Sequence, residues 1–217
     1  MIARNISQIK QETGQNVQLV IVSKFRTIAE IQEAYASGHR VFAENKVQAL
    51  LERAEQLPGD IQWHLIGHLQ SNKVKYIAPF IHTIQSVDSL KLLEEINKHA
   101  LKNNRIINCL LQIYIASEET KFGLSFDEAK ELLFSNRISK LNGINITGLM
   151  GMATNTDDMQ QVEHEFRSLK IFFDEIKQMN QYPDFNTLSM GMSGDYMLAI
   201  ACGSNMIRVG SKVFATT

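Results

Sequence analysis

Strand-like and helix-like segments alternate along almost the whole 217-residue chain, and this alternation limits the fold more than any other feature. The strand-like segments are short apolar runs such as VQLVIVSK, which are typical of strands buried on both faces. Eight of them are predicted, at residues 17–24, 40–45, 61–68, 83–87, 106–115, 145–152, 187–191 and 206–214. Strict alternation predicts a parallel sheet, and eight units predict a closed (β/α)8 barrel of the TIM type. An open doubly wound sheet is the main alternative, but it usually has only about five to seven strands.

Amphipathic helices are predicted between the strands, at residues 27–38, 46–56, 71–80, 89–103, 125–135, 157–179 and 194–203. Thr27, Ser89 and Ser125 are the predicted N-caps, and Glu128 completes a capping box with Ser125. An extra N-terminal helix over residues 3–13 can cover the gap where an eighth helix would sit. Every predicted loop is short and no linker interrupts the pattern, so we expect one domain over residues 1–217.

Composition excludes several classes of partner. The formal net charge is −1, which provides no general field for nucleic acid or an acidic membrane. No run approaches the ~20 apolar residues needed to span a bilayer. The two cysteines, Cys109 and Cys202, lie in apolar stretches and have no metal-ligand spacing, which favours free thiols in a reducing compartment. We therefore expect a cytoplasmic protein without a metal site, and the modest charge favours a monomer.

In a β/α barrel the functional site lies at the C-terminal ends of the strands. The first strand ends at Lys24, the second at Asn45, and the third carries His64. A lysine desolvated at the barrel mouth has a depressed pKa, and its neutral amine can attack an aldehyde. The alternative is that Lys24 extends to solvent from the strand end. His64 can face a cofactor ring or simply pack in the core.

The last two units resemble phosphate-binding loops. GMSGD at 191–195 places small residues before a helix, and VGS at 209–211 places a glycine and a hydroxyl after strand eight. A phosphate between the loops that follow strands seven and eight recurs in such barrels, held by backbone N–H groups. Ser193, Gly210 and Ser211 are the candidate ligands of the phosphate. The alternative is a pair of ordinary tight turns.

Arg208 lies within strand eight, and a buried guanidinium requires an acceptor. A pyridine nitrogen is one candidate, and arginine would hold it unprotonated, which weakens a cofactor's capacity as an electron sink. A salt bridge to Glu44 is the alternative. Four methionines cluster at strand ends and can line an apolar pocket, namely Met150, Met152, Met190 and Met192.

Several motifs together resemble the pyridoxal phosphate homeostasis proteins over nearly the whole chain. They are VSKF at 22–25, FAEN at 42–45, WHLIGHLQSNK at 63–73, QSVDS at 85–89, EETKFG at 118–123, GLMGM at 148–152, LSMGMSGD at 188–195 and IRVGS at 207–211. The resemblance implies a barrel similar to the N-terminal domain of alanine racemase, with pyridoxal 5'-phosphate (PLP) as a Schiff base on Lys24. It also implies that the pyridine nitrogen faces Arg208 and that the phosphate lies near Ser193, Gly210 and Ser211. Asn45 and His64 match positions near the ring.

Three functions stay open at this point. The resemblance implies a PLP-binding protein that carries or buffers the cofactor for intracellular vitamin B6 and amino-acid homeostasis, with transient contacts to apo PLP enzymes. A PLP-dependent amino-acid racemase of low activity is the alternative. Racemisation needs an acid or base on each face of the cofactor, and Tyr114, where the family commonly has asparagine, is the only further candidate. The third possibility is a barrel that binds a different phosphate compound, with Lys24 as its charge partner.

Overall fold

The computed structural model describes residues 1–117 and 122–215 of the chain. Its eight strands form a closed parallel barrel in the order β1 to β8, in which β1 pairs with both β2 and β8. The (β/α)8 prediction is therefore confirmed. The strands are β1 (Gln18–Val22), β2 (Val41–Glu44), β3 (Gln62–Leu65), β4 (Thr83–Val87), β5 (Ile107–Ile113), β6 (Ile144–Gly151), β7 (Thr187–Ser189) and β8 (Met206–Val209).

Helices cover the outside of the barrel. They are α1 (Ile2–Thr13), α2 (Ile28–Ala36), α3 (Val47–Gln56), α4 (Val74–Ile77), α5 (Leu90–Lys102), α6 (Phe126–Leu133), α7 (Met159–Gln178) and α8 (Tyr196–Ala201), with short 3-10 turns at Ser71–Lys73 and Ile138–Lys140. The leading helix α1 and the N-caps Thr27, Ser89 and Ser125 are as predicted. None of the helices in the described part of the chain is both long and apolar enough to cross a bilayer.

Several predicted strands extend too far at the mouth of the barrel, and the third ends at Leu65 and not at His68. The first and the eighth show the physical reason. The first strand ends at Val22 and not at Lys24, because the N–H of Arg26 donates to the carbonyl of Ser23 and closes a turn. The eighth ends at Val209 and not at 214, because the carbonyl of Gly210 accepts from the N–H groups of Val213 and Phe214. Apolar composition alone does not reveal where these turns begin.

The apolar core has two parts, as the alternation of side chains along barrel strands requires. The main part packs the outward faces of the strands against the helices. A smaller cluster fills the barrel interior and consists of Val20, Ala43, Leu110, Met150 and Met206. Polar side chains also enter the interior, among them Gln85, Ser189 and Arg208, and all three are buried. Buried polar groups of this kind need hydrogen-bond partners. Their partners lie next to the cavity at the C-terminal ends of the strands.

Candidate functional site

A cavity of about 590 Å³ opens at the C-terminal ends of the strands. This volume is in the usual range for small-molecule sites, and this end of the barrel is where such sites lie. The lining comes from the ends of β1, β2, β3, β6 and β8 and from the loops after β7 and β8. Its residues are Val22, Lys24, Phe25, Arg26, Asn45, Ile66, Gly67, Met152, Met192, Ser193, Gly194, Arg208, Gly210 and Ser211.

Lys24 lies on a tight turn at the cavity wall. The next residue, Phe25, has a φ of 65°, in the left-handed region that a bulky side chain rarely occupies. Such backbone strain is concentrated at functional sites. The side chain of Lys24 is exposed, and its Nζ lies 6.0 Å from the centre of the Phe25 ring. The prediction that this lysine is desolvated is therefore wrong and the alternative is confirmed, because the strand ends before Lys24 and leaves its amine accessible from solvent.

A buried ionic cluster on the outer side of the barrel holds the turn that contains Lys24. The hydroxyl of Ser23 donates to Oε1 of Glu44 at 2.5 Å, and Nη1 of Arg53 pairs with Oε2 of Glu44 at 2.9 Å. Arg53 also donates to the carbonyl of Arg26 at 2.9 Å. Burial raises the pKa of the Glu44 carboxyl, although Ser23 and Arg53 oppose the shift. The cluster holds both ends of the turn that presents Lys24.

Two neighbouring loops lie side by side at the wall of the cavity. One is residues 191–195 after β7, and the other is residues 209–211 at the end of β8. They are joined by a hydrogen bond from the N–H of Gly210 to Oγ of Ser193 at 3.3 Å. The N–H groups of Ser193, Gly194 and Ser211 make no hydrogen bond within the described residues. Backbone donors arranged in this way at a concave surface are the common means of holding a phosphate.

Gly210 also allows the end of β8 to lie close to the end of β1. A Cβ at this position would lie 2.9 Å from the carbonyl oxygen of Val22. Only glycine permits this approach without movement of β1 or β8. The approach places the loop after β8 beside the start of the Lys24 turn, so that the phosphate-type loops and the lysine share one cavity.

Arg208 lies at the base of the cavity with only 2 % of its surface exposed. Its Nη1 donates to the carbonyl oxygen of Ser189 at 2.9 Å and to Oγ of Ser189 at 2.7 Å, and its Nη2 donates to the carbonyl oxygen of Gly151 at 2.9 Å. Burial lowers the pKa of Arg208 to about 10, so the guanidinium keeps its charge at neutral pH. These bonds use three of its five N–H donors.

The alternative partner for Arg208 is wrong, because Glu44 points to the outside of the barrel and pairs with Arg53. A buried cation without a carboxylate partner is costly. Lys24, Arg26 and Arg208 line the cavity, and none of the described residues in its lining is a carboxylate. Of these three cations, Arg26 is the one with an ion pair among the described residues, to Glu30 at 3.4 Å. The cavity is therefore suited to an anionic ligand.

His64 does not line the cavity. It is buried, and its Nδ1 accepts a hydrogen bond from Nε2 of Gln85 at 2.8 Å. Burial lowers the pKa of His64 to about 3, and the neighbouring His82 adds to this effect. The rings of the two histidines stack with centroids 5.7 Å apart. His64 is thus a neutral group inside the barrel, and it is the one predicted site residue that is not part of the cavity lining.

The structure brings six of the seven predicted site residues to one cavity, namely Lys24, Asn45, Ser193, Arg208, Gly210 and Ser211. Met152 and Met192 also line it, whereas Met150 and Met190 are buried in the core. Tyr114 is not part of the lining. Of the EETKFG motif, residues 118–121 lie outside the described residues.

Sequence reasoning missed Gln85 and Ser189, which connect His64 to Arg208. The hydroxyl of Ser189 donates to Oε1 of Gln85 at 2.7 Å. Both are polar residues within short, otherwise apolar strands, and this pattern was the available signal. In the described residues, no group of three potential metal ligands lies together.

The comparisons with known proteins agree with this geometry. The family model for the alanine racemase N-terminal domain matches residues 1–217. A pyridoxal phosphate homeostasis protein of Haemophilus influenzae is 34 % identical over 220 residues, which cover 99 % of this chain and 92 % of that protein. The structure of PipY from Synechococcus elongatus without PLP is similar with a TM-score of 0.92 and 35 % identity, covering 99 % of this chain and 100 % of that one. PipY with PLP bound has a TM-score of 0.87 and 34 % identity over the same shares.

Proposed function

Since this chain belongs to the family of the alanine racemase N-terminal domain and, within it, to the pyridoxal phosphate homeostasis proteins, we propose that it binds PLP at the mouth of its barrel and carries or buffers it for intracellular vitamin B6 and amino-acid homeostasis. One observation carries the proposal. An accessible lysine, a buried arginine and two loops whose N–H groups have no partner in the described part of the chain line a single cavity, and no carboxylate stands among the described residues of that lining.

The residues present fit each part of PLP. The phosphate matches Ser193, Gly210 and Ser211, whose loops offer backbone N–H groups and hydroxyls. The ring nitrogen matches Arg208, which has N–H donors left after its three bonds to the protein. Asn45 lines the wall beside the ring, and His64 supports the site from inside the barrel. Bound PLP supplies an aldehyde, the group with which an amine condenses.

Lys24 is the residue that we assign to the covalent bond. Its amine forms a C=N bond, a Schiff base, with the aldehyde carbon, and the carbonyl oxygen leaves as water. The cluster of Ser23, Glu44 and Arg53 holds the turn of Lys24, so the amine has a fixed position relative to the phosphate loops. The exposure of Lys24 makes its amine accessible to PLP from solvent.

The site favours holding PLP over catalysis. Arg208 can donate to the ring nitrogen but cannot protonate it, which weakens the electron sink that PLP chemistry requires. Racemisation also needs a second acid or base opposite Lys24. Tyr114, the candidate from the sequence, does not line the cavity. A racemase of low activity is therefore the second candidate, and isotope exchange at Cα of alanine distinguishes the two functions.

We further propose a single-domain monomer that works in the cytoplasm and contacts apo PLP enzymes only transiently. The free state of Cys109 and Cys202 supports a reducing compartment. The net charge of −1 supports neither nucleic acid nor a membrane as a partner.

The proposal is tested by titrating the purified protein with PLP and recording the visible absorption of the Schiff base. We expect saturation at one PLP per chain, with covalent trapping on Lys24 after borohydride reduction. The Lys24→Ala variant should lose the band and the trapping, whereas Lys46→Ala, which changes a nearby exposed lysine outside this cavity, should keep both. Absence of the band in the wild type would refute the function, and binding of other phosphate compounds in preference to PLP would support the third candidate.

A further inference from the structure

A chain of hydrogen bonds runs through the barrel interior from Arg208 to His64. Arg208 donates to Oγ of Ser189 at 2.7 Å, and Ser189 donates to Oε1 of Gln85 at 2.7 Å. Gln85 then donates from Nε2 to Nδ1 of His64 at 2.8 Å. The four side chains come from β8, β7, β4 and β3 and are all buried. We call this chain the interior relay.

The relay has one direction. Arginine can only donate, so Oγ of Ser189 accepts and its hydrogen goes to the only acceptor of the Gln85 amide. The amide nitrogen of Gln85 therefore faces His64, whose Nδ1 accepts and whose proton lies on Nε2. Reversing any one bond would leave two donors or two acceptors facing each other, so the donor at one end fixes the arrangement at the other.

The His64 end is closed to protons. The ring is buried and neutral, its low pKa follows from that burial, and its Nε2 has no hydrogen-bond partner within the described residues. Glu44, at the end of β2, is engaged by Ser23 and Arg53 outside the barrel, and the charge of Asp195, in the loop after β7, favours the charged form of the Arg208 guanidinium. No acid in the relay can therefore neutralise or redirect the guanidinium.

We propose that Ser189, Gln85 and His64 are positioning residues that hold Arg208 in one orientation, with its remaining N–H donors directed to the ring nitrogen of PLP. This inference rests on the proposed function. It gives these three residues a role in selecting the ligand. A ring with an acceptor nitrogen is favoured over a ring with a carbon there, because a fixed donor without an acceptor leaves a buried N–H unpaired.

The inference is tested with two probes, PLP and its 1-deaza analogue, in which C–H replaces the ring nitrogen. The dissociation constant of each is measured by absorbance or fluorescence titration. For the wild type we expect tighter binding of PLP than of the analogue. Ser189→Ala removes the first link of the relay and should weaken PLP binding about 10-fold, while binding of the analogue changes less than about 2-fold.

Two further variants keep the test decisive. Gln85→Met retains the side-chain volume, and it should lower the same preference if Ser189→Ala fails to fold. Ser204→Ala is the matched control, because Ser204 is also a buried serine between β7 and β8, but its hydroxyl bonds to backbone groups of Leu188, Met190 and Met206 and to no member of the relay. It should leave the ratio of the two affinities unchanged.

A double change separates positioning from general packing. In an Arg208→Met background, adding Ser189→Ala should not alter the affinity ratio further, because the group that the relay positions is absent. An unchanged ratio in folded Ser189→Ala or Gln85→Met protein would overturn the inference. Loss of PLP binding in the wild type would instead refute the proposed function, so the two failures are distinguishable.

Discussion

Gly67 lies against the backbone of Asn45 so closely that a Cβ at position 67 would stand 2.1 Å from the carbonyl oxygen of Asn45. This contact joins the ends of β2 and β3 where both line the cavity. The two strand ends are also joined beside this contact, because the N–H of Ile66, next to Gly67, donates to the carbonyl of Glu44 at 3.0 Å. The position of Asn45 at the cavity wall therefore depends on the absence of a side chain at residue 67.

Gly67→Ala is expected to displace Asn45 and weaken the site. The overpacking should cost about 1–3 kcal/mol of unfolding free energy and reduce PLP affinity in the folded fraction. Chemical denaturation and PLP titration measure the two effects. Gly59→Ala is the control, since a Cβ there would meet nothing within 4 Å. Equal stability of both variants would contradict the contact.

The loops after β7 and β8 predict a loss of affinity that is confined to ligands with a phosphate. Ser193→Ala removes the acceptor for the N–H of Gly210 and a hydroxyl donor for the ligand. We expect about 10-fold weaker binding of PLP, because a hydrogen bond to a charged group is lost. Pyridoxal, which lacks the phosphate, should bind wild type and variant alike. An equal loss for both ligands would place the phosphate elsewhere.

Buried histidines predict a loss of stability in acid. Burial lowers the pKa of His39 from 6.5 to about 4. The unfolded chain therefore binds a proton that the folded protein does not, and stability falls as the pH drops from 6.5 towards 4. His39→Gln should remove up to about 3 kcal/mol of this dependence at pH 4. Urea denaturation between pH 7 and 4 measures it.

The control for this measurement is His164→Gln, which changes an exposed histidine and should leave the pH dependence as it is. In His39→Gln, the glutamine amide can replace the bond from Nε2 of His39 to the carbonyl of Val41, which is 2.9 Å long. A variant with the same acid sensitivity as the wild type would show that His39 is not responsible.

The Glu44–Arg53 pair predicts a pH dependence of stability that is opposite in sign to that of His39. Burial raises the pKa of Glu44 above its ordinary value of 4.5, so the folded state holds this proton more tightly and stability falls as the pH rises through the shifted pKa. Arg53→Met leaves the buried carboxylate unpaired and should cost about 3–5 kcal/mol at pH 7. The loss should shrink as the pH is lowered and Glu44 becomes protonated.

Glu44→Gln combined with Arg53→Met should recover most of that stability at pH 7, because no buried charge remains. Arg137→Met, which breaks the exposed pair with Glu94, should change stability much less. If Arg53→Met loses the same free energy at all pH values, packing and not charge is the cause.

The sequence predicted the fold well because its signals are local. The N-cap Thr27, the capping box at Ser125 and the apolar run before Lys24 depend on residues close together in the chain. The partners of Arg208 could not be predicted in this way. They are carbonyls and a hydroxyl from β6 and β7, and a backbone carbonyl has no signature in the sequence. The depth of His64 likewise depends on the closure of the barrel, and the exposure of Lys24 depends on where β1 ends.

Closure of the barrel joins the two ends of the chain, since β1 pairs with β8 from Gln18 with Met206 to Ile21 with Val209. Lys24 follows the first strand, whereas the phosphate loops and Arg208 belong to the last two units. During synthesis on the ribosome, the lysine therefore emerges long before the groups that complete its cavity. An incomplete chain lacks the residues that form the cavity. PLP can therefore bind only after β8 has paired with β1, which is the last long-range step of folding, and bound PLP cannot guide the folding steps that come before this pairing.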